Sequence, residues 1–189
     1  MRAGDLLARG AATCALGVLL TCGGETARST AGSDAPEGRA AAEAPGPTTA
    51  PGSDEDWGIV REKALWAYDQ GLAELPMGEL VARIGETFVG TPYAPHTLEV
   101  AGEERLVVEL QELDCVTFVE NVLALARFVQ MAPDVMLDDP AESYRPFYAG
   151  ILERIRYRGG TLDGYSSRLH YFSEWISDNS DKGILRNIS

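Results

Sequence analysis

Residues 111–120 read QELDCVTFVE, and Cys115 within them is the side chain best placed to do chemistry. Asp114 is a good helix N-cap, because its carboxylate can accept hydrogen bonds from amides two and three residues ahead. That cap would put Cys115 on the first turn of a helix. Unpaired amides and the helix dipole there favour a thiolate, and the same amides can receive an oxyanion. A thiolate so placed attacks a carbonyl carbon and forms an acyl-enzyme that water releases. The attack needs a base, and the chain holds two histidines, His96 and His170. His96 follows Pro95 in a loop, which fixes a base poorly. His170 lies in an aromatic, helix-like stretch and is the better internal base. The alternative for Cys115 is a packed core cysteine with no chemical role, since free cysteine is among the most buried residue types.

Composition narrows the field. The 189 residues carry a formal net charge of -13 and are 45% hydrophobic, which suits one modest core and disfavours nucleic acid as a partner. Three cysteines and two histidines occur without C-x-x-C or H-x-x-x-H spacing, so neither a structural zinc site nor any other metal or cofactor is implied. The opening stretch, MRAGDLLARGAATCALGVLLTCGG, has Arg2 and Arg9, an apolar run from Ala11 to Leu20, and small residues around Cys22. The run is too short to span a bilayer, and its order is that of a secretory signal over residues 1–22. The LLTCGG junction is similar to a bacterial lipobox, which would make Cys22 the lipidated first residue of the mature chain. Thr21 is bulkier than the residue usual there, and plain signal cleavage is the alternative. The chain is thus expected to be exported to the bacterial envelope and to meet the membrane only through that lipid. Cys14 and Cys22 fall in the signal, so Cys115 has no disulfide partner in an oxidising compartment.

Residues 23–55 contain no large apolar side chain and mix Pro, Gly, Ser, Thr and Ala without a period, the composition of a disordered tether. The folded domain is expected over 56–189. Trp57, Val60, Ala64 or Leu65, and Tyr68 form a helical stripe behind a cap at Ser53 or Asp54. PMGELVARIGETFVG predicts a second helix, with Pro76 in its first turn, an apolar face of Leu80, Val81, Ile84 and Phe88, and Gly90 as the stop. TLEVAGEERLVVEL alternates on both sides of AGEE and predicts a short β-hairpin. CVTFVENVLALARFVQM is apolar on most faces, as a central buried helix should be. Further helices are expected in PAESYRPFYAGILERIRY and SSRLHYFSEWISDN.

GTPYAPHTLEVAGEERLVVELQELDCVTFVENVLALAR, residues 90–127, resembles the NlpC-like superfamily of papain-like cysteine peptidases and amidases that cut bacterial cell wall. Its members carry a G-T-P-Y element followed, after a variable insert, by D-C at the start of the central helix. IRYRGG and YSSRLHYFSEWISDN resemble one branch in particular, the N-acetylmuramoyl-L-alanine amidase-like family. The resemblance implies an α+β papain-like fold, represented here mainly by its N-terminal helical half, and peptidoglycan fragments or muropeptides as partners. It makes Cys115 the nucleophile and Tyr93 a wall of the site, with Asp114 as cap and polar contact. Arg168, His170 and Tyr171 match a motif that in this branch looks like part of the substrate cleft. His96 departs from the pattern, which has a small residue at that position.

The same resemblance places the base histidine on a strand after the cysteine helix, whereas SEWISDNSDKGILRNIS follows Tyr171 here. The expectation is therefore a chain truncated before the histidine strands, with little activity as it stands. Two classes of function fit: a cysteine amidase of the envelope, or a non-catalytic muropeptide-binding lipoprotein that keeps the cleft.

Overall fold

The computed structural model describes residues 51–188. The expectations for the signal, for Cys14, for lipidation at Cys22 and for the tether over 23–50 lie outside the described residues.

Helix α1, Asp54–Asp69, begins inside the segment expected to be tether, because Ser53 and Asp56 close a capping box. The Asp56 amide donates to Ser53 Oγ at 3.1 Å, and the Ser53 amide donates to Asp56 Oδ2 at 3.0 Å. Trp57, Val60, Ala64 and Ala67 are its buried apolar stripe, and Tyr68 instead reaches out to donate to the Ala132 carbonyl. A short 3-10 turn at Leu72–Glu74 leads to α2, Met77–Glu86. Pro76 sits at its N-cap, and Leu80 and Ile84 are buried. This helix stops before Gly90, and Phe88 packs into the core beyond its end.

Helix α3, Cys115–Met131, is central, with Val122, Ala124, Leu125, Ala126, Phe128 and Val129 all buried. It packs against α1, α2 and α4, the last spanning Tyr144–Arg156. Between α1 and α4 the indole of Trp57 meets Tyr144 and Tyr148 edge-on at 6.2 and 6.0 Å, a favoured aromatic geometry. Helix α5, Phe172–Asp181, starts later than the sequence pattern suggests. Ser167 Oγ accepts from the Asp163 amide and donates to the Gly164 carbonyl, so local side-chain bonds compete with helix around a 3-10 turn at Tyr165–Ser167. Arg168 then runs extended and bridges Tyr157. His170 therefore precedes α5 rather than lying on a helix.

The hairpin expected over 97–110 does not form. Among the described residues the only strand-type pairings are two isolated bridges, Tyr93 with Leu113 and Tyr157 with Arg168. Residues 104–110 are extended, and Val108 and Leu110 are buried, so the alternation is real. Its hydrogen bonds go to side chains instead of a second strand. Tyr157 donates to the Arg105 carbonyl, Arg156 to the Val107 carbonyl, Asn121 to the Glu109 carbonyl, and the Leu110 amide donates to Asp56. Side chains of α1, α3 and the end of α4 thus stand in for a partner strand, while the amides of Leu106 and Val108 have no partner among the described residues. The described residues are mostly helical. No helix among them is long and apolar enough to cross a membrane.

Candidate active site

The start of α3 is built by its neighbours in sequence. Asp114 is extended, and its Oδ1 accepts from the amides of Val116 at 3.0 Å and Thr117 at 2.8 Å. Thr117 Oγ1 accepts from the Asp114 amide at 2.8 Å, completing a capping box. The G-T-P-Y run lies alongside: the Leu113 amide donates to the Pro92 carbonyl at 3.0 Å, and the Ala94 amide to the Leu113 carbonyl at 3.3 Å. Tyr93 is thereby held near the helix start with its ring 72% exposed.

Cys115 is the first residue of α3, exposed and unpaired. The packed-core alternative is thus not what the fold makes of it. Its surroundings refine the oxyanion expectation, since the Val116 and Thr117 amides are already spent on Asp114. Among the described residues the Cys115 amide is left without an acceptor, so it is the first-turn donor available to an oxyanion. No hydrogen bond from a described residue reaches the sulfur.

A small cleft of about 130 Å³ opens beside this turn, lined among others by His96, Glu99, Asp114, Glu120, Arg168 and His170. Three of the residues singled out from sequence, Asp114, Arg168 and His170, therefore converge, and His96 joins them. Cys115 adjoins the cleft through Asp114 and Val116, which line it. Tyr93 and Tyr171 are exposed and do not line it. A larger groove of about 1000 Å³ runs along the extended segment between Gly52 and α4, and it gathers none of these residues. The residues singled out from sequence thus gather at the small cleft and not at the larger groove.

His170 is oriented by Tyr165. Its Nε2 lies 3.0 Å from the Tyr165 carbonyl, which can only accept, so Nε2 carries the proton and Nδ1 is the free nitrogen. The two rings pack at 4.4 Å. Arg168 is 5% exposed, far from a solvated helix charge. Its Nη1 donates to the Leu98 carbonyl at 3.0 Å, its Nη2 to Glu99 at 2.6 Å, and its Nε lies 3.5 Å from Glu104. Tyr157, whose hydroxyl is pushed up by burial and by Glu104, stays protonated and donates to that same Glu104 at 2.9 Å.

Two buried polar groups, one in the cleft wall and one behind it, escaped the sequence-based expectations. Glu120 and Arg156 form a fully buried ion pair at 2.7 Å, and Trp175 Nε1 donates to Glu120 at 3.2 Å. Asn121 donates to the carbonyls of Thr117 and Glu109 and accepts from Tyr148 at 2.8 Å. The signal was present, because Glu120 and Asn121 stand side by side within the apolar run of α3. Their partners lie too far along the chain for spacing to show.

The model of the N-acetylmuramoyl-L-alanine amidase-like (AmiA-like) family matches residues 83–189. No curated protein matches the chain. Among solved structures, one of an N-acetylmuramoyl-L-alanine amidase from Bacteroides uniformis ATCC 8492 is 38% identical over 57% of this chain and 41% of its own, with a TM-score of 0.47. A second structure with that description is 37% identical over 56% of this chain and 40% of its own, with a TM-score of 0.46. A third, from Bacteroides fragilis and provisionally assigned as a xylanase, is 44% identical over 55% of this chain and 41% of its own, with a TM-score of 0.45. The chain spans about two fifths of the length of each. With more than half of its residues under the family model, the chain belongs to the N-acetylmuramoyl-L-alanine amidase-like family.

Proposed function

We propose that the chain is a cysteine amidase of the bacterial envelope that hydrolyses an amide bond in peptidoglycan or its muropeptide fragments, on an NlpC-like papain fold. The observation that carries it is Cys115, exposed on the capped first turn of α3 beside a cleft that holds His170. Family membership supports the amide bond and the peptidoglycan-type substrate.

In the acylation step the thiol proton passes to a base while Sγ bonds to the amide carbon. The oxyanion accepts from the Cys115 amide. Collapse breaks the C–N bond, and the base returns the proton to the leaving amine. Water then hydrolyses the thioester. Tyr93 and Tyr171, both exposed, offer rings against which a sugar or stem peptide can lie. Asp114 serves as the cap, its Oδ1 accepting from Val116, from the Thr117 amide and from the Thr117 hydroxyl. Two positions compete for the role of base: a histidine on a strand beyond residue 189, which the resemblance implies, and His170, whose Nδ1 is free. Lipidation at Cys22 would tether the enzyme to the membrane.

The second reading, a muropeptide-binding module without catalysis, is favoured by the absence of any hydrogen bond from a described residue to the Cys115 sulfur. In free enzymes such bonds are often long and tighten only with substrate. The deciding assay follows release of L-alanine-containing peptide from muropeptides, using the chain, Cys115→Ala and His170→Ala. Turnover lost in both variants by about a thousandfold or more assigns nucleophile and base to Cys115 and His170. Turnover seen only in a version extended by a histidine-bearing strand, and lost with Cys115→Ala, places the base there. Binding without turnover in either version establishes the binding module.

A further inference from the structure

We infer that Arg168 is a positioning residue rather than a substrate contact: its guanidinium sets the spacing between the two walls of the cleft, the 96–99 turn on one side and the Tyr165–His170 pair on the other. The inference rests on the small cleft being the substrate site, but its readouts do not.

A substrate-binding arginine presents open N–H groups to the cavity. Arg168 lines the cleft with its fork already engaged: Nη1 donates to the Leu98 carbonyl and Nη2 to the Glu99 carboxylate, while the buried Nε lies 3.5 Å from Glu104 without a hydrogen bond. Glu99 and Glu104 together offset its charge. The guanidinium carbon lies over the ring of Tyr165, 5.0 Å from its centroid, and that ring in turn packs on His170 at 4.4 Å. The Tyr165 carbonyl that receives His170 Nε2 also accepts from the Arg168 amide at 3.2 Å. One guanidinium therefore holds the turn through its Nη atoms and lies over the base-bearing stack.

The turn needs such a hold. His96 sits at φ 64°, a left-handed conformation uncommon for residues other than glycine, so the turn stores strain that its surroundings must hold. Inside the turn, the Glu99 amide donates to the His96 carbonyl at 3.0 Å and the Val100 amide to the Leu98 carbonyl at 3.1 Å. From outside, Arg168 takes the Leu98 carbonyl and the Glu99 side chain. A lysine cannot replace it, because a compact ammonium lacks the fork that reaches these acceptors while the same group covers an aromatic face.

The test uses the full chain with isotope-labelled histidine, the two histidine resonances being told apart by His96→Asn. Tyr165 shifts the His170 ring protons by its ring current, and amide exchange at Glu99 and Val100 reports the turn. Arg168→Lys is expected to lose most of the His170 ring shift and to raise exchange at both amides about tenfold or more. Exchange at Leu125 and Phe128 within α3 should stay unchanged, which separates repositioning from general loosening. Glu99→Gln should raise exchange in the turn alone, and Tyr165→Leu should remove the ring shift alone. If Arg168→Lys does not fold, these two milder variants decide, and the proposal falls if neither moves its own wall. It also falls if folded Arg168→Lys moves neither readout, or if muropeptide affinity drops about tenfold while both stay in place, the signature of a direct contact. Absent turnover alongside the expected shifts would count against the amidase reading and not against this one.

Discussion

At the residue scale the costliest positions are the buried charges. Glu120 and Arg156 are each 2% exposed in their side chains, so removing one strands the other without solvent. Arg156→Met should destabilise the chain by about 3–5 kcal/mol in urea unfolding, and adding Glu120→Gln should recover much of that loss. Asp56 gives a pH-dependent case. Burial alone would raise its pKa, but hydrogen bonds from Ser53, Leu110 and Gln111 outweigh it and hold the carboxyl below the ordinary 3.8. A depressed carboxyl contributes stability above its unfolded pKa and loses it as pH falls through the folded one. Asp56→Asn should therefore lower stability at neutral pH and flatten the decline below 3.8, checked by urea titrations across that range.

At the element scale, α3 depends on its cap. Asp114→Ala should cost about 1 kcal/mol of stability, and Asp114→Asn much less, since asparagine caps nearly as well. Iodoacetamide should label Cys115 in the folded chain without denaturant, because the first-turn position leaves the thiol exposed. Protection until unfolding would contradict that placement. These features were legible in the sequence because they are local: Ser53 with Asp56, and Asp114 with Thr117, lie three residues apart. The start of α5 was not, since Ser167 and Gly164 broke the pattern with bonds that periodicity does not record. Nor was the fate of residues 97–110. Their alternation is a strand's, yet their partners are Arg156 and Tyr157, with separations of 49 and 52 residues. The site divides in the same way. Cys115 and its cap could be read directly, whereas the carbonyl of Leu98 and the carboxylate of Glu99 that hold Arg168 lie in a turn 70 and 69 residues earlier.

For the molecule as a whole, the described residues form a helical layer whose one long extended segment is fastened by side chains from α1, α3 and α4. A strand in a ladder gains its bonds from a neighbour of the same kind. Residues 104–110 gain theirs from Asp56, Asn121, Arg156 and Tyr157, which converge only once three helices are in place. In time, that makes this segment the last to arrive. Truncating its most buried valine should then act on departure and not on arrival. Val108→Ala, losing about 2 kcal/mol, should speed unfolding and leave the folding rate nearly unchanged, a φ-value near zero in denaturant-jump kinetics. The helices would fold at their usual pace and hold the place open.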